Sequence, residues 1–214
     1  MKIGILIFPE VEELDFVGPW EIISMWSVHA EGPGQRFIVA QSTEPVTCAK
    51  GLTVIPHITF AQCPLLDVLV VPGGQGTRKE IDNESLISFL ILQAKHCQAI
   101  LSVCTGSFLL HRAGLLKGKR ATTHWNSLDR LKACGDVNVE ENRFVRDGII
   151  WSSAGVSAGI DMMLAFIASY SGEEVAARTQ TAAEYYPSAK VYGNFYKHSK
   201  APQYLKKDPT MGFN

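Results

Sequence analysis

The stretch AILSVCTGSFLL, residues 99–110, carries the strongest chemistry in the chain. An apolar, partly β-branched run stops at Cys104, Thr105-Gly106-Ser107 follow, and an apolar helical pattern resumes. Strand, sharp turn and helix with a nucleophile at the corner is the elbow that lifts one reactive side chain out at the end of a sheet. The free N–H groups and positive end of the following helix point back at the sulfur and favour its thiolate. A helix end supplies about 0.3–2 kcal/mol, whereas lowering a thiol pKa by two units takes roughly 2.7 kcal/mol. A second polar group is therefore expected beside Cys104.

Three further segments offer such groups. PEVEELDFVGPWEI (9–22) places Asp15 between a first strand and a helix expected to open at Pro19, a residue suited to the first helical position. A carboxyl there can reach across strand ends to Cys104; by spacing alone it can equally cap the turn. Glu10, Glu12 and Glu13 read as a solvated turn. VPGGQGT (71–77) sets Gly73 and Gly74 after a buried strand, where backbone N–H groups can approach a ligand closely. With the N–H of Thr105 they would form an oxyanion-type donor pair, although two glycines also suit a plain turn. GGQG lacks the Lys-Ser/Thr of a phosphate loop and the spacing of a dinucleotide fingerprint.

His124, in ATTHW, stays open between a base for Cys104 and a structural or interface role. SSAGVSAGID (152–161) predicts close backbone packing beside the cysteine, with Asp161 orienting or capping. Trp20, Phe108 and Trp125 are candidates for an apolar pocket or for simple core. The other cysteines, Cys48, Cys63, Cys97 and Cys134, form no CxxC and read as free thiols, neither a disulfide frame nor a zinc site. No metal and no organic cofactor is called for.

The elements that must position these residues are legible as apolar runs. IGILIF (3–8), DVLVVPGG (67–74) and the strand before Cys104 read as strands buried on both faces. RFIVAQS (36–42) and LTVIPH (52–57) read as shorter strands. Helices are expected over 81–97, capped near Asp82 or Asn83, and over 125–134, 156–172 and 173–186. Asp147-Gly148 in RFVRDGIIW signals a hairpin. Strands alternating with helices define a mostly parallel sheet covered on both faces, whose sites lie off the carboxyl ends of the strands. Asp15, Gly73-Gly74 and Cys104 all follow strands and converge on that edge.

At 214 residues the chain is expected to hold one domain, residues 1–190, with a polar, extended surface tail over 191–214 containing Pro202 and Pro209. Its 20 basic and 21 acidic residues give a formal charge of -1, which argues against a nucleic-acid footprint or an anionic membrane surface. No apolar run approaches the ~20 residues of a membrane helix. The opening MKIGILIFPEVEELD meets Pro9 and acids too early for a signal peptide and reads as the first strand of a cytoplasmic protein.

With VPGG, VCTGS, ATTHW and SSAGVSAGID in this order, the chain resembles the ThiJ/PfpI superfamily over about residues 1–185. LDFVGPWEI and TTHW are most similar to two of its subgroups: the isonitrile hydratase branch and the amidase-like sensor domain of AraC-type regulators. The resemblance implies a flavodoxin-like three-layer sandwich, a homodimer, and Cys104 as nucleophile acting on a small molecule. In the hydratase branch an Asp and the Thr after the cysteine are also required, which implies roles for Asp15 and Thr105. The implied reaction converts an isonitrile to an N-substituted formamide through a thioimidate on Cys104. Another cysteine hydrolase, an aldehyde hydratase or deglycase, and a non-enzymatic redox or ligand sensor are the alternatives. The segment TAAEYYPSAKVYGNF (181–195) departs from the ending common in the hydratase branch, and no helix-turn-helix pattern follows it.

Overall fold

The computed structural model describes residues 1–186, 199 and 201–206. Along the chain these form β1 (Lys2–Leu6), α1 (Glu13–His29), β2 (Gln35–Ala40), β3 (Val46–Thr47), β4 (Thr53–Val54), β5 (Ile58–Thr59), β6 (Val68–Val71), α2 (Thr77–Glu80) and α3 (Glu84–Ala94). They continue as β7 (Ala99–Val103), α4 (Gly106–Arg112), β8 (Arg120–Ala121), α5 (Leu128–Lys132), β9 (Asn138–Val139), β10 (Phe144–Asp147), β11 (Ile150–Ser153), α6 (Ala158–Ser171) and α7 (Glu173–Ala182).

Seven strands make the central sheet, in the order β10-β11-β7-β6-β1-β2-β5. All neighbours are parallel except β10 with β11, which form the hairpin expected at Asp147-Gly148. The three strands read as continuous apolar runs sit at the middle, and every residue of β6 and β7 is buried. Continuous hydrophobicity, rather than alternation, is what two covered faces demand. The sheet thus carries the carboxyl ends of β1, β6 and β7 side by side, where Asp15, Gly73 and Cys104 follow.

Two local expectations give way to packing. The first helix opens at Glu13, not at Pro19, and Pro19 lies inside it. An interior proline costs a helix about 3 kcal/mol, but here Phe16, Gly18, Ile22, Ile23 and Trp26 bury one face around it. A Cβ on Gly159 of α6 would lie 3.2 Å from the Pro19 ring, so the two helices meet at close range. Asp15 consequently sits in the first helical turn, where a carboxyl is favoured by the helix dipole. The run 52–57 is likewise mostly not strand: only Thr53–Val54 form β4, paired antiparallel with β3 in a small ribbon, and β5 at the edge of the main sheet begins beyond it.

Other boundaries hold more closely. Asn83 caps α3, its side chain accepting from the Leu86 N–H at 3.2 Å. Within the expected surface tail, Ala201 and Pro202 are buried and Gln203–Leu205 form a 3-10 turn, so this part packs onto the body rather than lying extended. The rest of the tail and most of the divergent segment 181–195 lie outside the described residues. Among the described residues no helix is long and apolar enough to cross a membrane.

Candidate active site

Cys104 stands at the corner between β7 and α4 with φ +56°, a left-handed conformation that few non-glycine residues adopt. The corner is fixed on every side. Its N–H donates to the carbonyls of Ser153 and Ala154 at 3.2 and 3.1 Å. Its carbonyl accepts from the hydroxyls of Thr123 and Ser107, at 2.9 and 3.2 Å. Gly106 opens α4 against the sheet so closely that a Cβ would lie 2.1 Å from the Val71 carbonyl oxygen, which is why this position must be glycine.

Asp15 is brought to the same place from α1 and is fully buried. Its Oδ2 accepts from the Gly73 N–H at 2.9 Å, while Oδ1 is buried with no hydrogen-bond partner. Burial lifts the carboxyl from 3.8 to about 8, against the pull of the Gly73 N–H; nearby Glu12 adds to the rise, and the Cys104 thiol and Val156 N–H oppose it. The thiol moves the same way. Burial, then the charge of Asp15, push Cys104 far above the ordinary thiol range, although the N–H and hydroxyl of Thr105 and the N–H of Val156 favour its thiolate. The helix end therefore does not win: Cys104 is 7 % exposed, and desolvation outweighs the donors around it. The two groups titrate as a coupled pair, and burial makes each keep its proton to higher pH than usual.

The glycines take a different part from the open donor pair expected of them. The Gly73 N–H is committed to Asp15, and the Gly74 N–H donates to Thr105 Oγ1 at 3.0 Å. Thr105 returns a hydrogen bond to the Gly74 carbonyl at 3.2 Å and accepts one from the Thr77 hydroxyl at 3.2 Å. A Cβ at Gly73 would fall 2.5 Å from the Thr105 nitrogen and 3.0 Å from Asp15 Oδ2. The loop is thus a close-fitting brace for the Asp15 and Thr105 side chains.

His124 makes no hydrogen bond to Cys104 among the described residues. Its Nδ1 accepts from the Asn126 N–H at 3.2 Å, starting the 3-10 turn Trp125–Ser127. Its ring lies on Gly155, where a Cβ would come within 2.2 Å of it, and burial lowers its pKa. Phe108 lies under the Arg130 guanidinium at 3.6 Å, Trp20 packs on His57 at 5.5 Å, and Trp125 lines a cavity of about 320 Å³ with Leu128, Glu141 and Pro202.

Sequence reasoning missed Val156. It has φ +50°, costly for a β-branched residue, and its N–H lies near enough to Asp15 and Cys104 to ease the ionisation of both. A backbone donor has no side-chain signature; the run SSAGVSAG showed only that the backbone would come close. Arg143 secures this segment, its Nε donating to Asp161 Oδ2 at 2.6 Å and its Nη2 to Ser157 Oγ at 3.1 Å.

A parallel α/β sandwich with a buried cysteine–carboxyl pair at its strand ends defines the class of protein. The chain belongs to the DJ-1/PfpI family, whose profile matches residues 1–169. It is 40% identical over 189 residues to an isonitrile hydratase of Pseudomonas putida, covering 88% of this chain and 80% of that one. It is 34% identical over 133 residues to the HTH-type transcriptional regulator GbdR of Pseudomonas aeruginosa, 62% of this chain but only 36% of the regulator. Among solved structures it is similar to a ThiJ/PfpI family protein from Pseudomonas syringae, with a TM-score of 0.83 and 34% identity over 96% of this chain and 82% of that one.

Proposed function

We propose that the protein hydrates an isonitrile, R–N≡C, to an N-substituted formamide, with Cys104 as nucleophile and Asp15 as the proton carrier. The observation that carries this reading is the buried Asp15–Cys104 pair, with Asp15 anchored through Gly73 and its second oxygen unpartnered. The 40% identity to a protein named for this reaction supports the substrate class.

The reactive form is the pair holding one proton, with that proton moved from the Cys104 sulfur to Asp15, as thiolate and carboxylic acid. The Cys104 sulfur bonds to the terminal carbon of the isonitrile while Asp15 gives that carbon its proton. The product is a thioimidate, R–N=CH–S–Cys104, beside an Asp15 carboxylate. Asp15 then takes a proton from water as the oxygen bonds to the same carbon, and the nitrogen receives that proton. Collapse forms the formamide carbonyl and breaks the C–S bond; the hydroxyl proton returns to Asp15 and the thiolate is restored. The sum is R–N≡C + H2O → R–NH–CHO, with no electron acceptor or donor. Thr105 offers its N–H and hydroxyl at the sulfur, Val156 its N–H, and Gly73 and Gly74 hold Asp15 and Thr105 in register. His124, held against Gly155, takes no part in the proton transfers.

Incubation with a simple alkyl isonitrile, read by mass spectrometry, tests the reading. Formamide from the wild type, none from Cys104→Ala or Asp15→Asn with circular dichroism unchanged, and a rapid-quench adduct of the isonitrile's mass on Cys104 are the expected results. Turnover surviving Cys104→Ala, or no formamide from the wild type, would overturn it.

A further inference from the structure

A second cavity, of about 370 Å³, opens beyond the carboxyl ends of β1 and β2, against α2 and the start of α3. None of Cys104, Asp15, Thr105 or His124 lines it. Its floor is apolar: Phe8, Ala40, Val46 and Leu86 are buried, and half-buried Phe60 stacks on Phe89 with ring centroids 4.5 Å apart. One charged side chain is sunk into this floor. Glu80, the last residue of α2, is only 6 % exposed.

The carboxylate is incompletely compensated. Its Oε2 accepts from Asn83 Nδ2 at 2.6 Å, and that same amide also donates to Gln41 Oε1 at 2.8 Å. No cation forms an ion pair with Glu80 among the described residues. Lys79 and Glu44, one charge of each sign, stand exposed at the rim. One hydrogen-bond donor and no ion pair leave this carboxylate with capacity for a further charged donor from the cavity.

The chemistry that would meet it is narrow. A hard metal ion needs about six oxygen ligands, and of the cavity's two carboxylates only Glu80 is buried, Glu44 standing exposed with Ser42 and Gln41. An anion would be repelled. An organic ammonium satisfies both halves of the cavity: its N–H groups make charge-assisted bonds to Glu80, and its hydrocarbon covers the Phe8–Phe60–Leu86 floor. We infer that this cavity is a binding site for a small organic ammonium ion, an alkyl- or arylalkylamine, with Glu80 as its counter-charge. The inference stands on this cavity alone and does not depend on the reaction at Cys104.

Calorimetric titration of the reduced protein at pH 7 and low salt tests it, with butylammonium and phenethylammonium as probes and 1-butanol and 2-phenylethanol as uncharged analogues. Saturable binding of an ammonium at least about tenfold tighter than its alcohol is expected, the usual difference for a hydrogen bond to a charged group. Glu80→Gln, which retains an acceptor for Asn83, should abolish that preference with circular dichroism unchanged. The preference in the wild type can be read whether or not the variant folds. Absence of saturable binding by either ammonium, equal binding of the alcohols, or an undiminished preference in folded Glu80→Gln would overturn the inference.

Discussion

Replacing Asp15 with Asn should stabilise the protein while removing its proposed activity, and the gain should depend on pH. The carboxyl is buried and lifted from 3.8 to about 8, chiefly by desolvation. In the unfolded chain it ionises near its ordinary value. Between those two values the folded state holds the extra proton, so its stability is intact below about pH 4 and falls as pH rises toward 8. A shift of about four units at 1.36 kcal/mol each sets an upper bound of about 5–6 kcal/mol above pH 8. Relaxation and water entry reduce such penalties, leaving about 2–3 kcal/mol. Asparagine keeps an oxygen for the Gly73 N–H, now 2.9 Å from Oδ2, and cannot ionise. Urea unfolding followed by circular dichroism, with thiols reduced, compares the two proteins at pH 4.5, 6, 7.5 and 8.5. The curves should nearly coincide at pH 4.5 and separate by about 2–3 kcal/mol at pH 8.5, with the variant more stable. A variant less stable at pH 8.5, or a difference that does not change with pH, would refute the claim that burial of this carboxyl is what lifts it.

Two neighbouring positions sort bracing from chemistry. Thr105→Val keeps the shape but strips the acceptor from the Gly74 N–H and leaves the Thr77 hydroxyl only its bond to the Gly74 carbonyl. It should lower the urea-unfolding free energy by about 1–3 kcal/mol and reduce isonitrile turnover at least about tenfold. His124→Asn preserves a side chain able to cap the Trp125–Ser127 turn. Turnover within about threefold of wild type is expected, whereas a loss of about a hundredfold or more would restore His124 as a base, the size of effect general bases produce.

How much of this was legible follows from what each residue's neighbours contribute. β6 and β7 announced themselves because both faces are covered, which leaves an unbroken apolar run in the sequence. β3, β4 and β5 have two residues each, too few for any period to register, and their pairing depends on partners distant in the chain. Pro19 misplaced the start of α1 because a local rule was set against the burial of a whole helix face, and burial is worth more. At the site, the order of strands was enough to bring Asp15, Gly73 and Cys104 to one edge. It was not enough to show that the Gly73 amide would be spent on Asp15, 58 positions away.

The thiol shows the limit most clearly, because both sides of the balance were nameable and only burial decided between them. The end of α4 and the donors of Thr105 and Val156 do favour a thiolate, as the strand–turn–helix pattern implies. A helix end is worth about 0.3–2 kcal/mol, however, and desolvating an ion costs several. Cys104 is nearly covered and faces a carboxyl that is itself buried, so burial lifts both groups and the charge of Asp15 lifts the thiol further. The same arrangement that makes the thiol a poor free nucleophile supplies a one-proton pair that can add sulfur and hydrogen to a single carbon. An isolated low-pKa cysteine would attack readily but would leave that carbon without its proton. For the addition we propose, to a carbon that needs both, a reluctant thiol beside a reluctant acid is the more useful pair, and alkylation of Cys104 by iodoacetamide should accordingly stay slow through pH 8, where Asp15 ionises, and rise only as pH climbs beyond the ordinary thiol range.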